Sequence, residues 1–196
     1  EQLLRNCLDR VIASRQGSSR RKLDLEIFVV DNGSSDGSPE MVEREFPRVI
    51  LIRNAENRGF AAANNQAIKS ATGKYILLLN SDTLVHGDVL ANTVDYMEAH
   101  PDVAVLGCRV LNADGSVQPS CGTFPGLLNL VVLSSGLWKL SFPAFFARSQ
   151  LRPLQGSEAQ DVDYVSGCFM CLRRDALADV GLLDENFFFF GEEVDW

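Results

Sequence analysis

Short apolar runs alternate along the chain with longer segments in which apolar side chains recur at helical spacing. The runs are rich in β-branched residues and end at turn-forming residues, which is typical of buried strands. The periodic segments each carry one apolar face, which is typical of helices that pack on a sheet. Strands are therefore predicted at residues 25–30, 49–52, 75–79 and 103–111, and helices at residues 3–12, 41–46, 60–71 and 89–99.

The order of these elements predicts the fold class. Strands that alternate with helices through short connections form a mainly parallel sheet with helices on both faces. We therefore predict a mixed α/β fold of Rossmann-like type. Ligands of such sheets bind beyond the carboxyl ends of the strands. Asp31 and Asp82 each follow a predicted strand, so both carboxylates should lie on one rim of the sheet.

The pattern changes after Leu111. Residues 124–146 are apolar and aromatic but are interrupted by glycine and proline, so they are too broken to span a bilayer. A packed helix, a segment at a membrane surface and a cover over a site are the open interpretations of this stretch. The remaining segments are predicted as a hairpin turn at 112–115, a linker at 150–160, a strand at 163–172 and a helix at 175–180.

Composition and charge narrow the function classes. The 196 residues are 46% hydrophobic, which is enough for a core and excludes a disordered protein. Lys and Arg number 18 against 26 Asp and Glu, and the net charge of −8 argues against a nucleic-acid-binding surface. Cys168 and Cys171 form a lone CxxC inside a predicted strand, where they point to opposite faces. Reduced thiols and a cytoplasmic protein are therefore predicted.

Two segments carry residues suited to binding a nucleotide. Asp31, Asn32, Gly33 and Ser34 form a turn at a strand end, where the carboxylate could accept hydrogen bonds from a base or ribose. The alternative is that Asp31 only caps the turn. Residues 57–65 include Arg58, Gly59, Asn64 and Asn65, and the N-terminus of the helix that starts there favours a phosphate. The alternative is an ordinary packing helix with its entry loop.

Two acidic motifs carry residues suited to catalysis. Asn80-Ser81-Asp82 follows an apolar strand, and the Asp82 carboxylate is a hard oxygen ligand of the kind that Mg²⁺ or Mn²⁺ prefers. Glu192, Glu193 and Asp195 lie within four residues and repel one another, which can raise the pKa of one of them. A carboxylate of that kind is suited to general base catalysis. The alternative for the second motif is a solvated acidic turn.

These motifs, in this order, resemble those of the family 2 glycosyltransferases. IFVVDNGSSDGS at residues 27–38 is similar to the nucleotide-binding strand and turn of that family, and ENRGFAAANNQAI at 56–68 is similar to its second segment. LLLNSDT at 77–83 is similar to its DxD-type motif in an Asn-x-Asp form. SGCFMCLRRDAL and GLLDENFFFFGEEVDW are similar to its acceptor-side strand and catalytic motif. Within the family, the chain looks most like the rhamnosyltransferase-like branch.

The resemblance implies a GT-A fold and an inverting transfer of a sugar from a nucleotide-diphosphate donor. Asp31 would contact the base, and Asp82 would hold the Mg²⁺ or Mn²⁺ that bridges the diphosphate. Glu193 stands where the family usually has an aspartate and would be the general base, with Glu192 as its rival and Asp195 in the same motif. The other implied donor-binding residues are Asn32, Gly33, Ser34, Arg58, Gly59, Asn64, Asn65, Asn80 and Ser81.

The resemblance also implies a single GT-A domain that is incomplete at both ends. Its first strand is expected ahead of Glu1 and a further segment after Trp196. Residues 1–111 would form the nucleotide-binding part and residues 112–196 the acceptor-side part. The expected donor is a UDP- or dTDP-linked sugar. The expected acceptor is a glycan or lipid-linked saccharide of polysaccharide or cell wall synthesis, at the inner face of the membrane.

Three other functions compete with this interpretation. A dinucleotide-dependent dehydrogenase lacks support because no GxGxxG follows a strand. A sugar nucleotidyltransferase shares the fold type but would need a glycine-rich basic loop near its start. A non-catalytic domain that only binds a nucleotide sugar remains open because Glu193 replaces the usual aspartate.

Overall fold

The computed structural model describes residues 1–14, 22–124, 158–188 and 191–196. Within these residues the chain forms two compact units. The first unit consists of residues 1–106 and 167–196, and the second of residues 107–166. Every candidate site residue predicted above belongs to the first unit.

The helices and strands follow the predicted alternation. The helices are α1 (Gln2–Ser14), α2 (Ser38–Glu45), α3 (Phe60–Ser70), α4 (Val89–Ala99), α5 (Ala176–Val180) and α6 (Glu192–Asp195). The strands are β1 (Phe28–Asn32), β2 (Ile50–Asn54), β3 (Tyr75–Leu79), β4 (Val105–Gly107), β5 (Val110–Leu111), β6 (Val117–Gln118), β7 (Cys121–Gly122), β8 (Tyr164–Val165) and β9 (Phe169–Arg173).

The first unit contains parallel and antiparallel strand pairs. Strands β1 and β2 are parallel, with Phe28 opposite Ile50 and Asn32 opposite Asn54. A three-stranded sheet has the order β3-β9-β4, and β9 runs antiparallel to β3. The mixed α/β class is therefore confirmed.

Helices α1 and α2 pack on the β1–β2 pair. Leu8 of α1 and Met41, Val42 and Phe46 form a buried cluster, against which Ile27 and Val29 pack. Burying such side chains contributes about 1.5–3 kcal/mol each, so this cluster fixes β1 beneath both helices. The position of Asp31 at the end of β1 therefore rests on a packed core.

Helix α2 begins at Ser38, ahead of the predicted segment 41–46. Its N-cap is Gly37, which adopts φ +77° and has no side chain to accept a hydrogen bond from the helix. The Asp36 carboxylate instead accepts a hydrogen bond from Ser38 N at 3.1 Å. Asp36 therefore satisfies the N–H of Ser38, the first residue of α2, whereas an N-cap side chain accepts from the second or third residue of a helix.

Two consecutive arginines at the end of β9 bind the C-terminal ends of two helices. The Arg173 guanidinium donates to Met97 O at 2.7 Å and His100 O at 3.0 Å, at the end of α4. Arg174 donates to Ala71 O and Gly73 O, both at 2.6 Å, beyond the end of α3. Cations at these ends satisfy carbonyls that have no partner within the helix and oppose its negative pole.

The second unit is built from two short antiparallel pairs. Strands β5 and β6 form the hairpin predicted from residues 112–115, and Gly115 N donates to Asn112 O at 2.9 Å. Strands β7 and β8 pair through Cys121–Val165 and Gly122–Tyr164. Most of the predicted apolar stretch at 124–146 and of the linker at 150–160 lies outside the described residues. In the part of the chain that is described, no helix combines the length and apolar character needed to cross a membrane.

Two predicted strands are each divided in the structure. The predicted strand 103–111 becomes β4, which pairs with β9, and β5, which pairs with β6. The predicted strand 163–172 becomes β8, which pairs with β7, and β9, which pairs with β3. An apolar run indicates extended backbone, but the point at which it changes partner depends on distant parts of the chain.

Candidate functional site

The first turn of the site is held by Asp31 itself. Asp31 is buried within β1, and its carboxylate oxygens accept hydrogen bonds from Ser34 N at 3.3 and 3.4 Å. Gly33 adopts φ +83°, and a Cβ there would lie 3.0 Å from the backbone carbon of Glu56. The turn therefore requires glycine, and Asp31 caps it, as the alternative interpretation expected. The Asp31 carboxylate keeps acceptor capacity for a ligand, because a carboxylate has about four acceptor sites.

Asn32 is the centre of a hydrogen-bond network that joins two loops. Its Nδ2 donates to Asn57 Oδ1 at 2.8 Å and to Gly59 O at 3.1 Å. Its Oδ1 accepts from Arg58 N at 3.0 Å and from Asn54 Nδ2 at 3.2 Å. The sequence prediction included Asn32, Arg58 and Gly59 but not Asn54 or Asn57. The density of asparagine between residues 54 and 65 was the signal that could have found them.

The start of α3 is bonded to the segment that precedes the acidic helix. Phe60 N donates to Phe188 O at 3.0 Å. Gly59 adopts φ +85°, and a Cβ on it would lie 2.6 Å from Phe188 O. One of the backbone donors expected to meet a phosphate is therefore already used within the chain.

We expect Gly59→Ala to lower the melting temperature by roughly 3–8 °C, because strain at positive φ and a clash with Phe188 add to about 1–3 kcal/mol. Differential scanning fluorimetry measures this loss. Gly181→Ala is the matched control, since Gly181 has φ +91° and ψ −165°, close to the φ +85° and ψ 170° of Gly59, and nothing lies within 4 Å of its added Cβ. Equal losses of melting temperature in the two variants would show that the clash with Phe188 is relieved without cost in stability.

The two asparagines of α3 have different surroundings. Asn64 is half-buried, and its Nδ2 donates to Phe60 O at 2.9 Å within the helix. Asn65 is only 1% exposed, and its amide group bonds Leu183 and Glu185. The predicted contact of Asn65 with the nucleotide sugar would require these bonds to be exchanged, because the side chain has almost no exposed surface. Asn65 is an internal contact of the unit.

The Asn80-Ser81-Asp82 motif lies immediately beyond β3. Asn80 N donates to Cys168 O at 3.2 Å, which fixes the start of the motif, and Ser81 and Asp82 are exposed. Burial, and then the negative charge of Asp82, raise the pKa of the nearby Cys7 thiol to about 11. The Asp82 carboxylate is therefore available to solvent and close enough to α1 to affect a thiol there.

The acidic motif forms helix α6. Glu192 is 4% exposed, Glu193 is half-buried and Asp195 is exposed. Among the described residues, the Oε2 atoms of Glu192 and Glu193 are both buried without a hydrogen-bond partner. Burial raises the pKa of Glu192, and the charge of Glu193 raises it further. Buried acceptors without partners are rare in proteins, and each needs an explanation.

A cavity of about 470 Å³ lies between β1 and β3 in the first unit. Most of its wall is apolar and comes from those strands and from α1 and α3. Four predicted donor-binding residues line it, and these are Asn32, Asn64, Asn80 and Ser81. The structure therefore brings the first, second and third motifs to one space. The fourth motif adjoins them through Phe188 and is not among the described residues of the cavity wall.

The oxygen atoms of the third motif suit a divalent cation that is also bound by the phosphates of a substrate. Among the described residues, no group of three or more His, Cys, Asp or Glu side chains could hold a metal ion. Mg²⁺ commonly binds through one or two carboxylates together with substrate phosphates. An exposed Asp82 beside the oxygens of Asn80 and Ser81 meets that requirement.

Comparison with known proteins adds a family assignment. The family model described as "Glycosyl transferase family 2" matches residues 1–181. An N-acetylglucosaminyl-diphospho-decaprenol L-rhamnosyltransferase of Mycobacterium tuberculosis is 25% identical over 202 aligned positions, which cover 96% of this chain. The chain spans 64% of the length of that relative. The predicted family is therefore confirmed, and the predicted likeness to rhamnosyltransferases is found in this relative.

Two solved structures share the fold. The mannosyltransferase PcManGT from Pyrobaculum calidifontis, in complex with GDP-Man and Mn²⁺, has a TM-score of 0.59 and 22% identity, and the match covers 99% of this chain and 46% of that one. S. aureus TarS 1–349, in complex with UDP-GlcNAc, has a TM-score of 0.54 and 20% identity, with coverage of 91% and 44%. The GT-A class predicted from the motifs is therefore confirmed.

Proposed function

Because the chain belongs to glycosyl transferase family 2, we propose that it transfers a sugar from a nucleotide-diphosphate donor to an acceptor hydroxyl, with inversion at the anomeric carbon. The acceptor oxygen forms a bond to that carbon as the bond to the diphosphate oxygen breaks. The nucleoside diphosphate leaves with the electron pair, and the hydroxyl proton passes to a carboxylate of α6.

The donor side of this proposal rests on the first three motifs. Asp31 and the turn through Ser34 bind the base and ribose, and the Asn32 network holds the loop of Arg58 against that turn. The Arg58 side chain is exposed and can pair with a donor phosphate. Asn64, Asn80 and Ser81, on the cavity wall, contact the remaining polar groups of the donor.

Asp82 is the residue that would hold a divalent cation, Mg²⁺ or Mn²⁺, on the donor diphosphate. When bound, the cation supplies Lewis-acid stabilisation of the leaving group. The mannosyltransferase with a similar fold was solved with GDP-Man and Mn²⁺, which supports the choice of ion.

The observation that carries the proposal is the pair of buried carboxylate oxygens in α6 that have no hydrogen-bond partner in the described part of the chain. An oxygen without such a partner can accept a proton from a substrate hydroxyl. Glu193 is the proposed base because it is half-buried, whereas Glu192 is almost completely covered. Asp195 is exposed and keeps the local charge negative.

A thermal-shift panel of UDP-, dTDP- and GDP-linked sugars with Mg²⁺ or Mn²⁺ tests the function. A donor at a hundredfold excess over its Kd should raise the melting temperature by about 5 °C or more. Release of the nucleoside diphosphate in the presence of an acceptor then establishes transfer. If none of these sugars shifts the melting temperature, the proposal is wrong.

The same panel separates the alternatives. A non-catalytic binding domain gives the shift without releasing the nucleoside diphosphate. A sugar nucleotidyltransferase makes a nucleotide sugar from a nucleoside triphosphate and a sugar phosphate. The named activity of the mycobacterial relative supports a lipid-linked saccharide as acceptor, and this would place the protein in the cytoplasm at the inner face of the membrane.

A further inference from the structure

The side-chain amide of Asn65 pairs with the backbone of Leu183 through one donated and one accepted hydrogen bond, as a neighbouring strand does in a sheet. Its Oδ1 accepts from Leu183 N at 3.2 Å and its Nδ2 donates to Leu183 O at 2.8 Å. The same Nδ2 donates to Glu185 Oε1 at 3.0 Å, and this bond lowers the pKa of Glu185. Both amide hydrogens and the amide oxygen are thus used, and Leu183 is only 3% exposed.

The bound backbone belongs to residues 183–188, here called the approach segment because they precede α6. The approach segment is tied to α3 a second time, where Phe60 N donates to Phe188 O at 3.0 Å. Helix α6 is also anchored from behind, since Trp196 Nε1 donates to Gly181 O at 2.9 Å. The position of α6 is therefore determined by the contacts of the approach segment with α3 and of Trp196 with Gly181.

We propose that Asn65 is a positioning residue that fixes the approach segment on α3 and thereby sets where Glu192 and Glu193 stand relative to the donor-binding motifs. This role rests on the proposed function, but the attachment itself is a property of the fold. The geometry favours it over donor contact because every polar group of the side chain is already bonded in a buried place.

Loss of the amide leaves the N–H and C=O of Leu183 without partners in a buried position. A buried backbone group without a partner is costly, so the approach segment should open to solvent more often. Helix α3 keeps its own backbone bonds and should be unaffected. The defect is therefore local, and it should reach α6 through the chain.

Hydrogen exchange measured by mass spectrometry tests the attachment in Asn65→Ala. We expect exchange across the approach segment to speed up on the order of ten- to a hundredfold, while exchange in α3 stays as in the wild type. Asn65→Asp is a second variant, which keeps an oxygen that can accept from Leu183 N but sets a carboxylate against Leu183 O and Glu185 Oε1, so its effect should be at least as large. Gln66→Ala is the matched control, because among the residues that the structure describes Gln66 Nε2 donates to Ala62 O, at 3.5 Å, within α3.

A second measurement separates positioning from donor contact. In Asn65→Ala, calorimetric affinity for UDP with Mn²⁺ should change less than about threefold, while kcat for transfer falls about tenfold or more. Unchanged exchange in the approach segment of both variants would overturn the proposal, and so would an affinity loss as large as the loss of kcat. If the wild type transfers no sugar at all, the proposed function fails, whereas the exchange experiment still decides the attachment.

Discussion

Glu193→Gln leaves donor binding intact and lowers the rate of transfer by roughly 10²–10⁴-fold, which is the usual contribution of a general base. Glutamine has the shape of glutamate but cannot take up the hydroxyl proton. The Oε2 atom of Glu193 has no hydrogen-bond partner among the described residues, so none of these residues competes with a substrate hydroxyl for it. The test compares kcat with calorimetric affinity for the donor in the same preparation.

Two further variants identify the base. Glu192→Gln should lower the rate less than Glu193→Gln does, because Glu192 is 4% exposed and has little access to a substrate. Asp179→Asn removes an exposed carboxylate of α5 and serves as the control for charge alone. A larger loss in Glu192→Gln would make Glu192 the base, and a wild-type rate in Glu193→Gln would remove Glu193 from the mechanism.

Asp82→Ala is expected to abolish the part of donor affinity that depends on a cation. Mutating a residue that only orients a metal ligand typically lowers the affinity for the metal roughly 10–100-fold. Loss of the Asp82 carboxylate itself should therefore lower the cation-dependent affinity for the donor about tenfold or more. Calorimetric titration with UDP, with and without Mn²⁺, gives the result directly. The wild type should bind UDP more tightly with Mn²⁺, and the variant should bind it equally in both conditions.

The control for this experiment is Asp102→Ala, which removes an exposed carboxylate beyond the end of α4. That variant should retain the full response to Mn²⁺. If Asp82→Ala keeps the same response as Asp102→Ala, Asp82 does not hold the cation and the third motif has another role.

The parts of the fold that could be predicted are those set by local pattern. Strand β3 was predicted at its observed bounds, and α4 as well, because a continuous apolar run and a periodic segment end at turn-forming residues. Strand β1 was predicted at 25–30 but runs from Phe28 to Asn32. Its last two residues are polar, and their pairing with Arg53 and Asn54 is a contact that no local pattern reveals.

The candidate site shows the same division between local and distant information. The sequence identified the motifs, and Asn32, Asn64, Asn80 and Ser81 of those motifs line one cavity in the structure. The shared rim of Asp31 and Asp82, expected from the topology rule, stays a prediction. The sequence could not distinguish Asn64 from Asn65, which are adjacent in an alanine-rich helix. Their difference comes from Leu183 and Glu185, which lie 118 and 120 residues away from Asn65 in the chain.

The arginine pair at the end of β9 stabilises the first unit at positions away from the proposed catalytic groups. Arg173 lies opposite Tyr75 at the beginning of β3, whereas the Asn80-Ser81-Asp82 motif follows the other end of that strand. The hydrogen bonds from the end of β9 to α3 and α4 thus lie at the opposite end of β3 from the motif proposed to bind the sugar donor. Substitutions that change thermal stability through these hydrogen bonds need not disturb the reacting groups. The thermal stability of the protein can therefore evolve while its specificity stays constant.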